Sequence, residues 1–156
     1  SNEIVARSEL EHAHVNRAMI NLMKAYGSIN SGVEELITTY CYQCALEMNC
    51  VDLATAGLPL AMDGYSSLHD NTVLSQAQSK RVNAVMLTCG MYDSVGSFAY
   101  RVGLPAKSGV GGGILAIVPG ELSVAVWSPE LDMSGNSYAG TAALELFTTM
   151  TQTSVF

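Results

Sequence analysis

Apolar residues recur at intervals of three and four along the first ninety residues, a spacing that predicts helices. The first such stripe ends at Gly27 and would lie on one helical face: Val15, Ala18, Met19, Leu22, Met23 and Tyr26. Ser8 and Glu11 have the form of a capping box. We therefore expect a helix that begins at Ser8 and buries this stripe.

A second apolar stripe follows Ser31 and Glu34, which form another capping signature. Its members are Val33, Leu36, Ile37, Tyr40, Cys41, Cys44 and Met48. Tyr40 lies on this stripe, so its position alone favours a buried core aromatic whose hydroxyl needs one partner.

Two more helices are expected before residue 90. Asp52 opens the third, and Pro59 predicts a stop or a kink in it because proline removes a backbone donor. Residues 63–71 are polar and predict a loop between two sub-regions. Ser75 and Gln78 form a third capping signature, with Gly90 placed to end the helix as its C′ residue.

The pattern then changes from helical to alternating. Residues 96–102, 113–118 and 122–127 predict three strands, and the last two are joined by a hairpin turn. A final amphipathic helix would bury Ala139, Ala142, Ala143, Leu146, Phe147 and Met150. Helices followed by an antiparallel three-stranded unit and a terminal helix indicate an α+β fold. We expect two parts of one domain, residues 1–70 and residues 71–156.

Charge and cysteine content narrow the classes of partner. The chain has 14 acidic and 7 basic residues and a net charge of −7, which disfavours nucleic acid and anionic membranes. No run of about eighteen apolar residues predicts a membrane span. The four cysteines do not resemble a disulfide framework, so a reducing cytoplasmic compartment fits best.

No cofactor or metal is expected. Cys41 and Cys44 have metal-ligand spacing but lack a second pair, so they fit small core residues better. His12 and His14 are two residues apart and fall on different helical faces. Residues 109–113 are rich in glycine but fail the dinucleotide fingerprint, because Ile114 occupies its third glycine position.

The glycine-rich segment after Lys107 and Ser108 is a candidate for chemistry. Gly109 and Gly111 flank Val110 and let the backbone approach a ligand. Together with a lysine and a hydroxyl, backbone N–H groups suit an anionic or oxyanion-forming substrate. The alternative is a tight turn that leads into a buried strand.

Glu9 and Asn16 are seven residues apart, so within one helix they would project from the same face. A carboxylate and an amide in that arrangement can hold the ammonium and carboxylate groups of an amino acid. The alternative is a solvated first helical turn in which Glu9 interacts favourably with the helix dipole.

Several segments together strongly resemble the serine-dependent glutaminases. They are Ser8-Glu9, Asn16-Arg17-Ala18, Tyr40 with Cys44, Cys89-Gly90-Met91-Tyr92-Asp93, Gly103 to Ile114, Val118-Pro119, Ser128 to Asp132 and Gly135-Asn136-Ser137. The resemblance covers nearly the whole chain and corresponds to the later part of a family member. It implies a β-lactamase-like fold and the hydrolysis of L-glutamine to L-glutamate and ammonia.

The resemblance also implies roles for individual residues. Glu9 and Asn16 would hold the α-amino and α-carboxylate groups of glutamine. Tyr40 would assist proton transfer near the nucleophile, and Tyr92 would contact the reacting centre.

In the glycine-rich segment, Ser108 matches the family's Lys-Ser-Gly serine. Val110 would donate its backbone N–H to the oxyanion hole. The chain departs from the family pattern at residues 61–66, which leaves the end of the third helix open.

The family's nucleophile and base come from a Ser-x-x-Lys motif, and no serine precedes any of the three lysines by three positions. We therefore expect this chain alone to be inactive, and to self-associate or pair with a missing N-terminal half. Two other hypotheses remain: a β-lactamase-like hydrolase of other specificity, and a non-catalytic pseudoenzyme or binding fragment.

Overall fold

The computed structural model describes all of residues 1–156 and contains two compact units, residues 1–48 and residues 49–156. The division falls between Met48 and Asn49, earlier in the chain than the polar loop that suggested a boundary near residue 70. That loop lies inside the second unit.

The first unit consists of three helices, α1 (Glu3–His12), α2 (His14–Ala25) and α3 (Val33–Cys44). The side chain of Asn2 caps α1 by accepting the N–H groups of Ile4 and Val5. The helix therefore begins before Ser8, and the expected capping box at Ser8 is wrong. A break at Ala13 then separates α1 from α2.

The core of this unit forms where α1 and α2 meet α3. Ala13, Ile37 and Cys41 are buried there, and Leu10 and Ile20 pack against them. The expected burial of the first apolar stripe is wrong, because Val15, Met19, Leu22, Met23 and Tyr26 are all exposed. The capping signature at Ser31 is wrong as well: Gly32 occupies the N-cap of α3 and provides no side-chain cap.

Two long helices open the second unit, α4 (Cys50–Ala61) and α5 (Gln76–Cys89). Asn49 and Asp52 form a capping box at the start of α4. The helix continues through Pro59 to Ala61, which excludes a stop at the proline and leaves a kink as the other expected outcome. The predicted capping box of Ser75 with Gln78 is confirmed at the start of α5.

Gly90 ends α5 for a reason other than the one expected. It is the C-cap and has a right-handed φ of −78°, so it is not a left-handed C′ residue. A Cβ at this position would run into the carbonyl oxygens of Ala106 and Met86. The glycine therefore allows the end of α5 to lie directly against the backbone of Ala106.

Between α4 and α5 the polar segment folds into a small hairpin, β1 (Tyr65–Ser66) and β2 (Asn71–Thr72). The hydroxyl of Tyr65 donates to Asp70 across 2.5 Å. This bond raises the pKa of Tyr65, because the phenol donates to a carboxylate.

The main sheet has three antiparallel strands in the order β3 (Ala106–Ser108), β4 (Gly113–Val118) and β5 (Leu122–Trp127). Ser108 is in register with Ile114, and Gly113 with Trp127. The predicted strands 113–118 and 122–127 are confirmed. The sheet presents the segment between β3 and β4 at one end.

The predicted strand at residues 96–102 is wrong. A single turn of 3₁₀ helix (Tyr92–Ser94) leads into a short helix, α6 (Val95–Arg101). Phe98 and Val102 are 3% and 2% exposed, whereas Tyr100 is 93% exposed. Burial at i and i+4 is the helical period, and the apparent alternation of this segment hid it.

The terminal helix α7 (Tyr138–Thr151) is present as expected, but it buries a different face. Gly140, Leu144 and Thr148 are buried. Of the residues expected to be buried, Phe147 is half-buried against the core, whereas Ala139, Ala142, Ala143, Leu146 and Met150 are exposed. Leu144 joins the main core of the unit, which consists of Met91, Phe98, Val102, Leu104, Ala106, Ile114, Ala116, Val118 and Leu144. No helix of the structure has both the length and the apolar character needed to cross a bilayer.

Candidate active site

The glycine-rich segment forms a tight loop between β3 and β4. The N–H of Gly112 donates to the carbonyl of Gly109, and the N–H of Gly109 donates to the carbonyl of Gly113, each across 2.9 Å. From the far side, the indole N–H of Trp127 donates to the carbonyl of Gly111 across 2.8 Å. The carbonyl groups of Gly109, Gly111 and Gly113 therefore accept the hydrogen bonds that hold the loop.

The N–H of Val110 lies in this loop and donates to no acceptor within the protein. The side chain of Val110 is 64% exposed. A Cβ added to Gly109 or to Gly111 would meet nothing within 4 Å, and neither glycine has a positive φ. The fold itself therefore does not require these two glycines, and they leave open space on both sides of a backbone donor.

Ser108 is buried, and its hydroxyl is already engaged. It is 3% exposed, and its Oγ donates across 2.6 Å to Oδ1 of Asn136, with the carbonyl of Gly90 at 3.4 Å. Its own N–H donates to the same Gly90 carbonyl across 3.1 Å. Because this hydroxyl is buried and donates to Asn136, Ser108 anchors the strand that leads into the loop.

Tyr92 lies close to this anchor. Its backbone has a φ of +48°, and its side chain is 42% exposed. The ammonium of Lys107 is 4.7 Å from the centroid of the Tyr92 ring, a cation–π distance. A Cβ on Gly135 would lie 3.9 Å from two carbon atoms of the ring. The ring is thus bracketed by the strand before the glycine loop and by the turn before α7.

The turn before α7 is closed by Asp132, a residue to which the sequence assigned no role. Its Oδ1 accepts the N–H groups of Ser134 and Asn136 across 2.9 and 3.0 Å. Its N–H donates to the carbonyl of Asn136 across 2.7 Å. Asp-x-Ser-Gly-Asn is the kind of polar run in which an aspartate closes an Asx turn, so the local signal was present in the sequence.

In the first unit, Glu9 and Asn16 line one cavity of about 280 Å³, together with Ser8, His12, Ala13 and Val15. The expectation that both project from one face of one helix is wrong, because Glu9 belongs to α1 and Asn16 to α2. The break at Ala13 places them on the same cavity. Glu9 takes part in none of the ion pairs of the chain.

Arg17 holds the break between α1 and α2 in place. Its Nη1 donates to the carbonyl of Leu10 across 2.9 Å, and its Nε and Nη2 donate to the two carboxylate oxygens of Glu34 across 3.0 and 3.1 Å. The hydrogen bond from the guanidinium lowers the pKa of Glu34. The partners of Arg17 lie on two other helices, so the sequence alone gives no sign of this role.

Tyr40 lies on α3 with half of its surface exposed, so the expectation of a buried core aromatic is wrong. Its neighbour Cys41 is 1% exposed and fills the core position of that turn. Burial raises the pKa of the Cys41 thiol, and the nearby negative charge of Glu9 raises it further. No group of three or more His, Cys, Asp or Glu side chains is arranged to hold a metal ion.

Each unit thus carries a distinct part of the predicted site. Tyr92, Ser108 and Val110 come together in the second unit around the loop between β3 and β4. Glu9 and Asn16 share a cavity in the first unit, whose helix α3 also carries Tyr40.

The family model for glutaminases matches residues 1–156, the whole of the chain. The chain belongs to the glutaminase family. A glutaminase of Caulobacter vibrioides is 60% identical over 151 residues, which cover 97% of this chain and 49% of that protein. A glutaminase of Ralstonia nicotianae is 56% identical over 155 residues, which cover 99% of this chain and 51% of that protein. The chain spans about half the length of these curated relatives.

Solved structures at 33–40% sequence identity have the same fold. The structure of a Bacillus subtilis glutaminase in covalent complex with 5-oxo-L-norleucine matches with a TM-score of 0.93 and 40% identity, over 99% of this chain and 56% of that one. The structure of Mglu in its native form matches with a TM-score of 0.92 and 33% identity, over 99% of this chain and 38% of that one. The predicted α+β, β-lactamase-like fold and the family resemblance are confirmed.

Proposed function

We propose that the complete protein containing this chain is a glutaminase, which hydrolyses L-glutamine to L-glutamate and ammonia through a serine acyl-enzyme. The observation that carries the proposal is the match of the glutaminase family model to residues 1–156. The covalent complex of the Bacillus subtilis relative with 5-oxo-L-norleucine supports covalent catalysis, since it formed by reaction of that protein with 6-diazo-5-oxo-L-norleucine.

The second unit would supply groups for the reacting amide. The uncommitted N–H of Val110 suits the oxyanion that develops on the amide carbonyl during acylation and deacylation. Tyr92 is exposed in the same unit, in contact with Lys107, and carries a phenol that can exchange a proton with the reacting centre. Ser108 would contribute indirectly, because its hydrogen bond to Asn136 anchors the strand that leads into the loop.

The first unit would supply groups for the two ends of the amino acid. Glu9 offers a carboxylate for the α-ammonium, and Asn16 offers amide donors for the α-carboxylate. Both line the cavity between α1 and α2, which supports this assignment. Tyr40 is exposed on α3, where its phenol can take part in proton transfer.

This chain carries no Ser-x-x-Lys motif, so it has no candidate for the nucleophile and base of that chemistry. We propose that residues 1–156 alone do not turn over glutamine. The test incubates the complete protein and the isolated chain with L-glutamine and follows ammonia by a coupled assay. Ammonia release by the complete protein and not by the isolated chain supports the proposal. If the complete protein hydrolyses nitrocefin and releases no ammonia from glutamine, a β-lactamase-like activity replaces the proposed one.

We also propose that the chain self-associates or pairs with a segment outside residues 1–156. The strands β3 and β5 are the two edges of the sheet, and an unpaired edge is a template for another strand. The exposed apolar stripes of α2 and α7 add surface that favours association. Light scattering that finds a strict monomer over a wide concentration range would contradict self-association.

We propose a cytoplasmic location for the protein, because its four cysteines form no disulfide.

A further inference from the structure

Asn136 has no exposed surface, and both ends of its side-chain amide are used. Its Oδ1 accepts the hydroxyl hydrogen of Ser108 across 2.6 Å, and its Nδ2 donates to the carbonyl of Met91 across 3.2 Å. Asp132 fixes the backbone on either side of the amide, as described above. A buried amide held this completely has one orientation, because turning it would exchange a donor for an acceptor at both ends.

The two partners of this amide belong to segments that are far apart in the sequence. Met91 directly precedes Tyr92, and Ser108 directly precedes the loop that carries Val110. A single side chain therefore links the segment with the exposed phenol to the segment with the uncommitted N–H. The loop is also held by its own hydrogen bonds and by Trp127, so it is the less dependent of the two on Asn136.

Neither aspartate nor alanine would satisfy both partners of Asn136. Aspartate would keep the acceptor for Ser108 but would turn a carboxylate oxygen toward the carbonyl of Met91, leaving two acceptors facing each other. Alanine would leave the Ser108 hydroxyl only the more distant carbonyl of Gly90, at 3.4 Å. It would also remove one of the two donors to the Met91 carbonyl, which keeps the N–H of Ser94 across 3.0 Å, and losing such buried hydrogen bonds is costly. Position 136 therefore requires a side chain that carries both an acceptor and a donor.

We propose that Asn136 is a positioning residue for the reaction: it fixes the Tyr92 phenol relative to the Val110 N–H. The inference rests on the proposed function, in which Tyr92 contacts the reacting centre. Asn136 touches no substrate in this scheme and acts through the peptide of Met91. A side chain that only stabilised the fold would lower the melting temperature without acting through Tyr92, and this difference makes the proposal testable.

The test is a double-mutant cycle in the complete protein, with kcat and KM for L-glutamine as readouts. Asn136→Ala is compared in the parent and in the Tyr92→Phe background. We expect Asn136→Ala to lower kcat about ten- to hundredfold in the parent with KM changed less than about threefold, and to change kcat little once the phenol is gone. Equal fold-losses in both backgrounds would overturn the proposal.

Two further variants keep the test decisive. Ser123→Ala is the matched control: its hydroxyl donates to the carbonyl of Ala54 near the other end of the sheet, so it should lower the melting temperature and leave kcat unchanged. If Asn136→Ala does not fold, Ser108→Ala replaces it in the cycle, because it removes only the hydroxyl bound to Oδ1. A kcat loss for Ser108→Ala that persists undiminished in the Tyr92→Phe background would again overturn the proposal.

A failure of the proposed function can be told apart from a failure of this inference. If the parent protein does not hydrolyse glutamine, the readout becomes the ring NMR signal of Tyr92, assigned by its loss in Tyr92→Phe. The inference expects this signal to shift in Asn136→Ala or Ser108→Ala and to stay in place in Ser123→Ala. An unmoved signal in a folded Asn136→Ala variant would disprove positioning whatever the reaction.

Discussion

The ammonium of Lys107 lies 4.7 Å from the centroid of the Tyr92 ring, so the lysine that precedes Ser108 and the glycine-rich loop makes a cation–π contact with this tyrosine. At exposed sites such a contact contributes about 0.5–1 kcal/mol. We expect Lys107→Met to lower kcat for L-glutamine by roughly two- to fivefold and Lys107→Arg to restore most of it, because arginine also binds ring faces. Steady-state kinetics of the complete protein measure this. Lys80→Met, on the exposed surface of α5, is the control, and an equal effect there would contradict the prediction.

Val110 is expected to contribute its backbone and not its side chain. Val110→Pro removes the N–H and should lower kcat by about 10²–10³, the usual cost of one lost oxyanion-hole donor. Val110→Ala keeps the N–H and shortens a side chain that is 64% exposed, so its kcat should stay near the parent value. Melting temperatures of both variants separate loss of the donor from loss of the fold. A kcat loss in Val110→Ala equal to that in Val110→Pro would argue for a side-chain role.

Glu9 is expected to recognise the substrate's ammonium. Glu9→Gln removes the charge from the cavity between α1 and α2 and should lower kcat/KM about ten- to hundredfold, since a hydrogen bond to a charged group contributes about 1.5–3 kcal/mol. Glu11 also lies on α1 but does not line the cavity, so Glu11→Gln should leave kcat/KM unchanged. Parallel losses in the two variants would indicate a general effect of charge on α1.

The Arg17–Glu34 pair predicts a pH-dependent contribution to stability. Arg17 holds the pKa of the Glu34 carboxyl below its usual value of about 4.3, so the pair stabilises the fold above that pH. The contribution is lost as the pH falls through the lowered, folded-state pKa. Arg17→Gln should therefore lower the melting temperature at pH 7, and the difference from the parent should shrink in strong acid.

Circular dichroism melts between pH 7 and pH 3 measure this difference. Arg7→Gln breaks the exposed Arg7–Glu3 pair of α1 and should have a much smaller effect at pH 7, because both side chains are largely in solvent. A difference in melting temperature between Arg17→Gln and the parent that stays constant with pH would contradict the prediction. It would show that only the hydrogen bond from Arg17 to the Leu10 carbonyl contributes to stability.

Gly90 is expected to tolerate no side chain. Gly90→Ala would place a methyl group against the carbonyl of Ala106, and overpacking of this kind costs about 1–3 kcal/mol or more. Gly96→Ala adds a methyl to α6 with no atom within 4 Å and should be neutral or stabilising by up to about 1 kcal/mol. Urea unfolding of both variants gives the comparison, and a loss at Gly96 as large as that at Gly90 would contradict it.

Local signals predicted the parts of the fold in which neighbouring residues act on each other. Ser75 and Gln78 are three residues apart, and their capping box is present as expected. The hairpin of β4 and β5 follows from alternation around one short turn. The strand expected at residues 96–102 is wrong, because its alternation competed with a helical pair, Phe98 and Val102, that only tertiary packing reveals.

The site shows the same limit. The glycine loop could be found from its composition, and Glu9 and Asn16 from the family resemblance. The buried state of Ser108 could not be found, because its partner Asn136 is 28 residues away and is held in turn by Asp132. The stripes of α2 and α7 were expected to be buried because periodicity identifies an apolar face and says nothing about what covers it.

The left-handed backbone of Tyr92 has a further consequence. A tyrosine at φ +48° carries conformational strain of about 1–3 kcal/mol, which glycine would not. The contact of the ring with Lys107 and the hydrogen bonds to the Met91 carbonyl help to offset this strain in the folded protein. Glycine at position 92 would relieve the strain but would also remove the aromatic ring and its contact with Lys107, so a tyrosine at this position is kept at a local cost in stability.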